Sequence, residues 1–256
     1  MPYKTSVDTG GTFTDVVVSD SEGRQVIGKS LTSHQRVFEG MSAGLAHAAQ
    51  LLGISRQQLL SSAELLIYGT TRATNAIVEG KTAKTAYLTT EGFPDILYLR
   101  EGGRTKAGDF TIDYPPAYIP RYRTFEIPER INAEGGIEKV LDTAAVRNIL
   151  RLLGECGYEA VAVSLLWSIS NSCHELQIGE LIDELLPAVP YTLSHQLLPI
   201  VREYRRASTT AIDASLKPLM QSHLQQLQQD LDAAGFSGEL LVSSSAGGCM
   251  KLATAV

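Results

Sequence analysis

Asp8, Gly10, Gly11, Thr12 and Thr14 have the types and the spacing to hold a phosphate group and its metal ion. They lie in Val7-Asp8-Thr9-Gly10-Gly11-Thr12-Phe13-Thr14-Asp15-Val16-Val17-Val18, which reads as strand, tight glycine turn, strand, because β-branched residues favour extended chain and a glycine pair favours the turn. Gly10 and Gly11 permit positive φ and let backbone N–H groups approach a ligand with no Cβ in the way. Thr12 and Thr14 add hydroxyl donors, and the Asp8 carboxylate can hold Mg²⁺ directly or through water. The same residues also suit an ordinary hairpin. Neither G-x-x-x-x-G-K-[ST] nor a helix-opening G-x-G-x-x-G occurs in the sequence,.

A second polar group is Thr70-Thr71-Arg72, with Thr74 and Asn75, after the apolar run Leu65-Leu66-Ile67-Tyr68. Loops that follow strands in α/β proteins commonly carry ligands, so these residues are candidates to face substrate or phosphate. The alternative is a capped helix start. Arg202, Glu203, Arg205 and Arg206 can organise a hinge or partner surface, but a charged helix start favours a solvated face. Cys173, His174 and Glu175 are consecutive on an expected helix, point about 100° apart and do not converge on one metal ion. His195 reads as a hydrogen-bonded structural residue, and Cys249, with no paired base in view, as a small buried one.

The elements that must position these groups alternate. Three short strands, the third at 24–31, precede an amphipathic helix at 37–52 that Gly53 stops,. Strands follow at 64–68 and 82–89, then an irregular segment over 100–135 broken by Gly102-Gly103, Pro115-Pro116, Pro120 and Pro128,. Regular alternation resumes: helix 142–154, a strand at 160–167 buried on both faces, helix 173–186, a strand at 191–194, helix 205–234 and a strand at 239–243. In the long helix Ile212, Leu216, Met220, Leu224, Leu227 and Leu231 form the apolar stripe, and Pro218 marks a bend or a second start,. The order implies an α/β protein with a mixed sheet and flanking helices.

Composition narrows the class. The chain has 256 residues, 44% hydrophobic and 20% charged, with a formal charge of −6 and no long Lys/Arg run, which disfavours a nucleic-acid partner. Three cysteines without C-x-x-C pairing suggest reduced thiols in a cytoplasm,. No leader and no apolar run long enough to cross a bilayer is read, so no membrane association is expected.

With these residues in view, the sequence resembles the hydantoinase/oxoprolinase family, whose members include N-methylhydantoinase A, 5-oxoprolinase and subunits of acetone and acetophenone carboxylases. Besides Asp8 to Asp15, the resemblance rests on Tyr68-Gly69-Thr70-Thr71 through Thr74-Asn75-Ala76, Leu88-Thr89-Thr90-Glu91-Gly92-Phe93, Tyr118-Ile119-Pro120-Arg121 and Pro128-Glu129-Arg130-Ile131. Leu165-Leu166-Trp167-Ser168, His174-Glu175 and Arg202 through Thr210 extend it, in the family's order. It implies an amino-terminal hydantoinase/oxoprolinase domain at 1–190 and the start of a hydantoinase A domain at 191–256.

The resemblance further implies an actin-like ATPase fold of the ribonuclease H-like class, of which this chain supplies the first lobe. The second lobe is truncated, since no second glycine-threonine phosphate loop follows Gly247-Gly248. ATP and Mg are the implied cofactors: Asp8 would position Mg²⁺ or its water, while Gly10, Gly11, Thr12 and Thr14 would contact phosphates. The implied activity is ATP-dependent opening of cyclic amides of the hydantoin or 5-oxoproline class, with a second hydantoinase-type subunit or the missing carboxy-terminal lobe as partner. An acetone/acetophenone-type ketone carboxylase subunit is the alternative, towards which Leu99 to Arg104 and Asp113-Tyr114-Pro115 lean. A non-catalytic fragment or assembly domain is the reading from another class.

Overall fold

The structure, a computed structural model, describes residues 2–33, 36–102, 115–245 and 247–254. In chain order the strands are β1 (Tyr3–Thr9), β2 (Phe13–Ser19), β3 (Gln25–Leu31), β4 (Ala63–Thr70), β5 (Thr85–Thr90), β6 (Thr124–Ile127), β7 (Arg130–Ile131), β8 (Ile137–Lys139), β9 (Ala160–Ser164), β10 (Tyr191–Leu193), β11 (Glu239–Ser243) and β12 (Cys249–Lys251). The α-helices are α1 (Val37–Leu51), α2 (Arg56–Ser62), α3 (Arg72–Val78), α4 (Ile96–Leu99), α5 (Thr143–Glu155), α6 (Cys173–Leu185), α7 (Ser194–Leu197) and α8 (Glu203–Ala233). The chain divides into two compact units: residues 1–81 with 219–256, and residues 82–218.

The first unit is built on a six-stranded mixed sheet in the order β12-β11-β4-β1-β2-β3. β1, β2 and β3 are antiparallel neighbours, whereas β4 runs parallel to β1 and β11 parallel to β4. An antiparallel three-strand meander extended by parallel strands, with helices packed on it, is the architecture expected of an actin-like first lobe. Alternation sets the buried face, with Thr5, Val7 and Thr9 of β1 and Thr14, Val16 and Val18 of β2 turned inward,. Helix α1 lies close on this sheet because two glycines face each other. A Cβ on Gly28 would meet the Gly44 carbonyl oxygen and stand 2.9 Å from the Ala48 nitrogen, while one on Gly44 would stand 2.8 Å from Val16 Cγ2. Ser55 and Gln58 begin α2 with a reciprocal capping box,. Leu224, Leu227, Leu231 and Phe236 complete the core with Met41, Leu45 and Leu66.

The second unit is built on a parallel sheet in the order β10-β9-β5-β6, with a small β7-β8 ribbon. Every residue of β5 and β9 is buried, as central strands of a parallel sheet covered on both faces should be. Asp142 caps α5 by accepting the Ala145 N–H at 2.9 Å,.

Several sequence expectations are corrected. The expected mixed sheet is the six-stranded one of the first unit, and the later strands form a sheet of their own, because β5 pairs with β6 and β9. The irregular segment contains a true sheet strand, β6. Helix α8 runs continuously across Pro218. Its stripe holds only beyond that proline: before it, the buried face is Arg206, Ala207, Thr210, Ala211 and Ala214, while Ile212 and Leu216 are half-buried. Cys249 is exposed. The carboxylase-leaning residues 103–104 and 113–114 lie outside the described residues.

Candidate functional site

The register of the first sheet explains why two loops distant in sequence meet. β1 and β4 are parallel, with Thr9 opposite Thr70 at their carboxyl ends. The chain leaving β1 is the glycine turn, and the chain leaving β4 is the Thr71 turn into α3. The crevice outside the carboxyl ends of neighbouring parallel strands is a general place for ligands in α/β sheets. A cavity of about 420 Å³ lies there, within the first unit, and Gly10, Gly11, Thr70, Thr71, Arg72 and Asn75 all line it. Thr9, Thr32, Ser33, Glu79 and Lys81 are further polar members of its wall.

Gly10 serves by close approach, and neither glycine by unusual dihedral angles. Neither Gly10 nor Gly11 is among the positive-φ residues, so the freedom they permit is not used here. A Cβ on Gly10 would press on the Phe13 carbonyl oxygen at 3.2 Å, and one on Gly11 would reach to 4.0 Å from Asn75 Nδ2. The Gly10 N–H is used inside the turn, donating to Phe13 O at 3.0 Å. Among the described residues no acceptor takes the Gly11 or Thr12 N–H, so these are the donors that the turn can offer.

The remaining residues of the motif are placed differently. Thr14 is fully buried and its hydroxyl lies 3.0 Å from that of Thr32, so it supports the turn from below and does not line the cavity. Thr12 is exposed, and its carbonyl accepts the Thr32 N–H at 2.9 Å. Asp8 is exposed, outside the cavity lining, and directly across from Asp15. Lys29 takes up the Asp15 carboxylate at 2.8 Å, while Asp8 has no ion pair among the described residues. Gly69 makes room for it: a Cβ there would stand 3.4 Å from Asp8 Oδ1 and 3.1 Å from Ser243 Oγ.

On the α3 side, Thr70 Oγ1 accepts the Arg72 N–H at 3.2 Å, and Asn75 Nδ2 donates to Thr71 Oγ1 at 3.3 Å. Thr71 makes no side-chain cap. Arg72 Nε is buried without a hydrogen-bond partner, and Thr9 Oγ1, next to Tyr68, makes none of ordinary geometry. Buried polar atoms left unpaired cost free energy, and two of them in residues that line one cavity mark it as a candidate ligand site,. The donor chemistry therefore fits a phosphate group: a guanidinium, hydroxyls, free backbone N–H groups and the Lys81 ammonium. Lys81 itself is paired with Glu79 at 2.7 Å. Among the described residues no group of three or more His, Cys, Asp or Glu is placed to hold a metal unaided, but Mg²⁺ characteristically uses one or two carboxylates plus phosphate and water oxygens.

Sequence reasoning missed Thr32, Ser33, Glu79 and Lys81. The only signal for Thr32 is its place at the end of the third meander strand, where hairpin register returns it to the first turn.

The family model for the hydantoinase/oxoprolinase N-terminal region matches residues 4–186. The chain belongs to this family. It is 32% identical to the caprolactamase subunit alpha of Pseudomonas jessenii over 91% of this chain and 34% of that protein. It is 31% identical to the acetophenone carboxylase gamma subunit of Aromatoleum aromaticum over 94% of this chain and 35% of that protein. The crystal structure of the ATP-dependent caprolactamase from Pseudomonas jessenii superposes with a TM-score of 0.87 at 31% identity, covering 96% of this chain and 36% of the other. The chain thus spans about a third of the length of these family members. Among the described residues no helix is long and apolar enough to cross a membrane.

The second unit contains a buried polar network. Glu129 accepts from Thr90 Oγ1 and meets His174 Nδ1 at 2.7 Å. Glu175 accepts from the Leu165 N–H at 2.9 Å, from Ser194 Oγ at 2.6 Å and from the His195 N–H at 3.0 Å, and lies 2.6 Å from His195 Nδ1. Arg206 is only 1% exposed and donates to Ser194 Oγ, Ile200 O and Leu165 O. A solvated helix start was the expectation for Arg206. The side chain is instead a buried strut.

Proposed function

We propose that this chain provides the first phosphate-binding half of the nucleotide site of an ATP-dependent hydrolase that opens cyclic amides of the hydantoin or 5-oxoproline class. The observation that carries the reading is the meeting of the Gly10-Gly11 turn with Thr70, Thr71, Arg72 and Asn75 around one cavity. The ATP-dependent caprolactamase to which the chain is similar, itself named for a cyclic amide, supports it.

Bound ATP supplies a transferable phosphoryl group, which turns a poorly reactive oxygen into a leaving group. The chain's own contribution is positioning and charge. The Gly11 and Thr12 N–H groups and the Arg72 guanidinium orient and neutralise phosphate oxygens. Asp8, with no ion pair among the described residues, holds Mg²⁺ directly or through water. Thr14 and Thr32 keep the turn in shape from beneath. Residues 1–190 act as the amino-terminal domain and 191–256 as the start of the hydantoinase A domain. The rest of the site comes from a second subunit or a carboxy-terminal lobe, a reading supported by the relatives' description as subunits and by their greater length. The free thiols of Cys156, Cys173 and Cys249 suit a cytoplasmic setting,.

The similarity to the acetophenone carboxylase gamma subunit favours a second reading, a subunit of an ATP-dependent ketone carboxylase. The nucleotide half-site is common to both. Calorimetric titration of Mg-ATP into the 256-residue chain tests it. Binding that Asp8→Ala and Arg72→Gln each weaken by about tenfold or more supports the half-site. Absence of saturable heat at millimolar Mg-ATP overturns it and leaves the non-catalytic assembly role.

A further inference from the structure

A second cavity, of about 450 Å³, lies within the unit of residues 82–218 and apart from the glycine turn in sequence and in chemistry. Its apolar walls are Phe93, Leu99, Leu166, Trp167 and Tyr204. Arg100 and Arg130 bring two guanidinium groups, and Asp95 and Glu203 two carboxylates. Asp95 is already engaged by Arg121 at 3.1 Å.

Arg130 is the distinctive member. Its guanidinium lies 4.9 Å from the centre of the Phe93 ring, an arrangement that fixes the planar group by one face and leaves its edge donors unused,. Among the described residues it makes no side-chain hydrogen bond and no ion pair, although it is half-buried.

The backbone is strained at this cavity. The three non-glycine residues with positive φ among the described residues are Arg100 (58°), Trp167 (56°) and Arg202 (85°). Two of them line the cavity, and the third directly precedes its wall residue Glu203. Positive φ is uncommon for side chains of this size and persists where surrounding structure enforces it, often at ligand sites. Here the enforcing structure is visible. The buried network grips the segment from behind, through Glu175 on the Leu165 N–H, Thr90 on the Leu166 N–H at 3.0 Å and Arg206 on the Leu165 carbonyl. On the far side the Trp167 carbonyl accepts the Ser170 and Asn171 N–H groups at 2.9 and 3.1 Å. The backbone that carries the indole is thus held by a scaffold of buried polar groups.

We propose that this cavity is a binding site for a small organic carboxylate with an apolar or aromatic body. The carboxylate lies on the fixed edge of Arg130, and the body lies between Trp167, Phe93 and Tyr204. A cavity of this volume, mostly apolar with few convergent polar groups, is of ordinary size for a small-molecule site. Glu203 lets a ligand bearing an ammonium group gain a further contact.

Trp167 is the single tryptophan of the sequence, so its emission reports on this cavity without interference. The probe is 3-phenylpropionate, titrated into the 256-residue chain while emission is recorded. The expected result is a saturable change that Mg-ATP does not produce, with the neutral 3-phenylpropionamide binding about tenfold or more weakly. Arg130→Gln is expected to lose the carboxylate preference while melting at an unchanged temperature. Three results overturn the proposal: no saturable change up to the solubility of the probe, equal affinity for acid and amide in the unaltered chain, or an undiminished preference in folded Arg130→Gln. A failure of Mg-ATP binding leaves this test untouched, since it reads a different cavity.

Discussion

Tyr68 and His223 share a hydrogen bond of 2.9 Å in the first unit, joining the centre of β4 to α8. Burial, helped by the positive charge of Arg72, pushes the His223 pKa down to about 4 from 6.5, and burial raises that of Tyr68. The phenol therefore stays protonated at neutral pH, beside a neutral imidazole.

This pair predicts an acid-sensitive stability. Between about pH 6.5 and pH 4 the unfolded chain takes up a proton at His223 and the folded chain does not,. The contribution is therefore complete above about pH 6.5 and falls away as pH drops towards 4, by on the order of 2–3 kcal/mol. Urea unfolding of the chain and of His223→Gln across this range should give curves that converge as the pH falls. Parallel curves refute the assignment.

Thr32→Val is expected to loosen the glycine turn. The Thr32 hydroxyl donates to Gly10 O at 3.0 Å, and its loss also strands the buried Thr14 hydroxyl. The cost should be about 1–3 kcal/mol in urea unfolding. Mg-ATP affinity should fall with it, although Thr32 lies outside the glycine motif. Unchanged affinity with reduced stability would detach the turn's shape from binding.

Gly28→Ala is expected to be among the most damaging single-methyl additions to the first unit. The new carbon would fall on the backbone of α1 at Gly44 and Ala48, and backbone cannot rotate aside. A loss of about 3 kcal/mol or more is expected. Gly23→Ala, at a positive-φ turn with open space around it, should cost only the local strain of its dihedral,. Thermal melting of both variants decides whether helix-to-sheet approach sets the first value.

Arg206→Met should cost about 3–5 kcal/mol, because it removes a buried guanidinium and leaves the carbonyls of Leu165 and Ile200 and the Ser194 hydroxyl without their donor,. Arg206→Lys should rescue little, since one ammonium cannot reproduce contacts to three separate acceptors,. Unfolding monitored at Trp167 measures both. A loss under about 1 kcal/mol for Arg206→Met would show that the network is dispensable.

Local chemistry was legible in the sequence, and long-range pairing was not. The glycine turn follows from β-branched runs on either side of Gly10-Gly11, and the end of α1 from Gly53, which adopts φ +74°. The meeting of Gly10 with Arg72 depends on the parallel register of β1 and β4, which no local pattern encodes. β4 reads as an apolar run and β5 as a further strand, yet nothing in Leu65 to Tyr68 or Thr85 to Thr90 announces that they belong to different sheets. Arg206 misleads because its neighbours Arg202, Glu203 and Arg205 are those of a wet helix start, and only tertiary structure seals it in.

The glycine-turn unit closes late in the life of each new chain. Its sheet receives β11 beside β4 only after residues 82–218 have been synthesised, and Leu224, Leu227 and Leu231 arrive in the same interval. Until then the ribosome presents a half-built sheet whose β4 edge, with its run of Leu65, Leu66 and Ile67, has no pairing partner. Such an edge is a template for unwanted strand addition, and the loop that must close to cover it is long. The interval between translation of Thr70 and of Ser243 is therefore the one in which this edge lacks its partner, and slowing elongation there is expected to lower the soluble yield,.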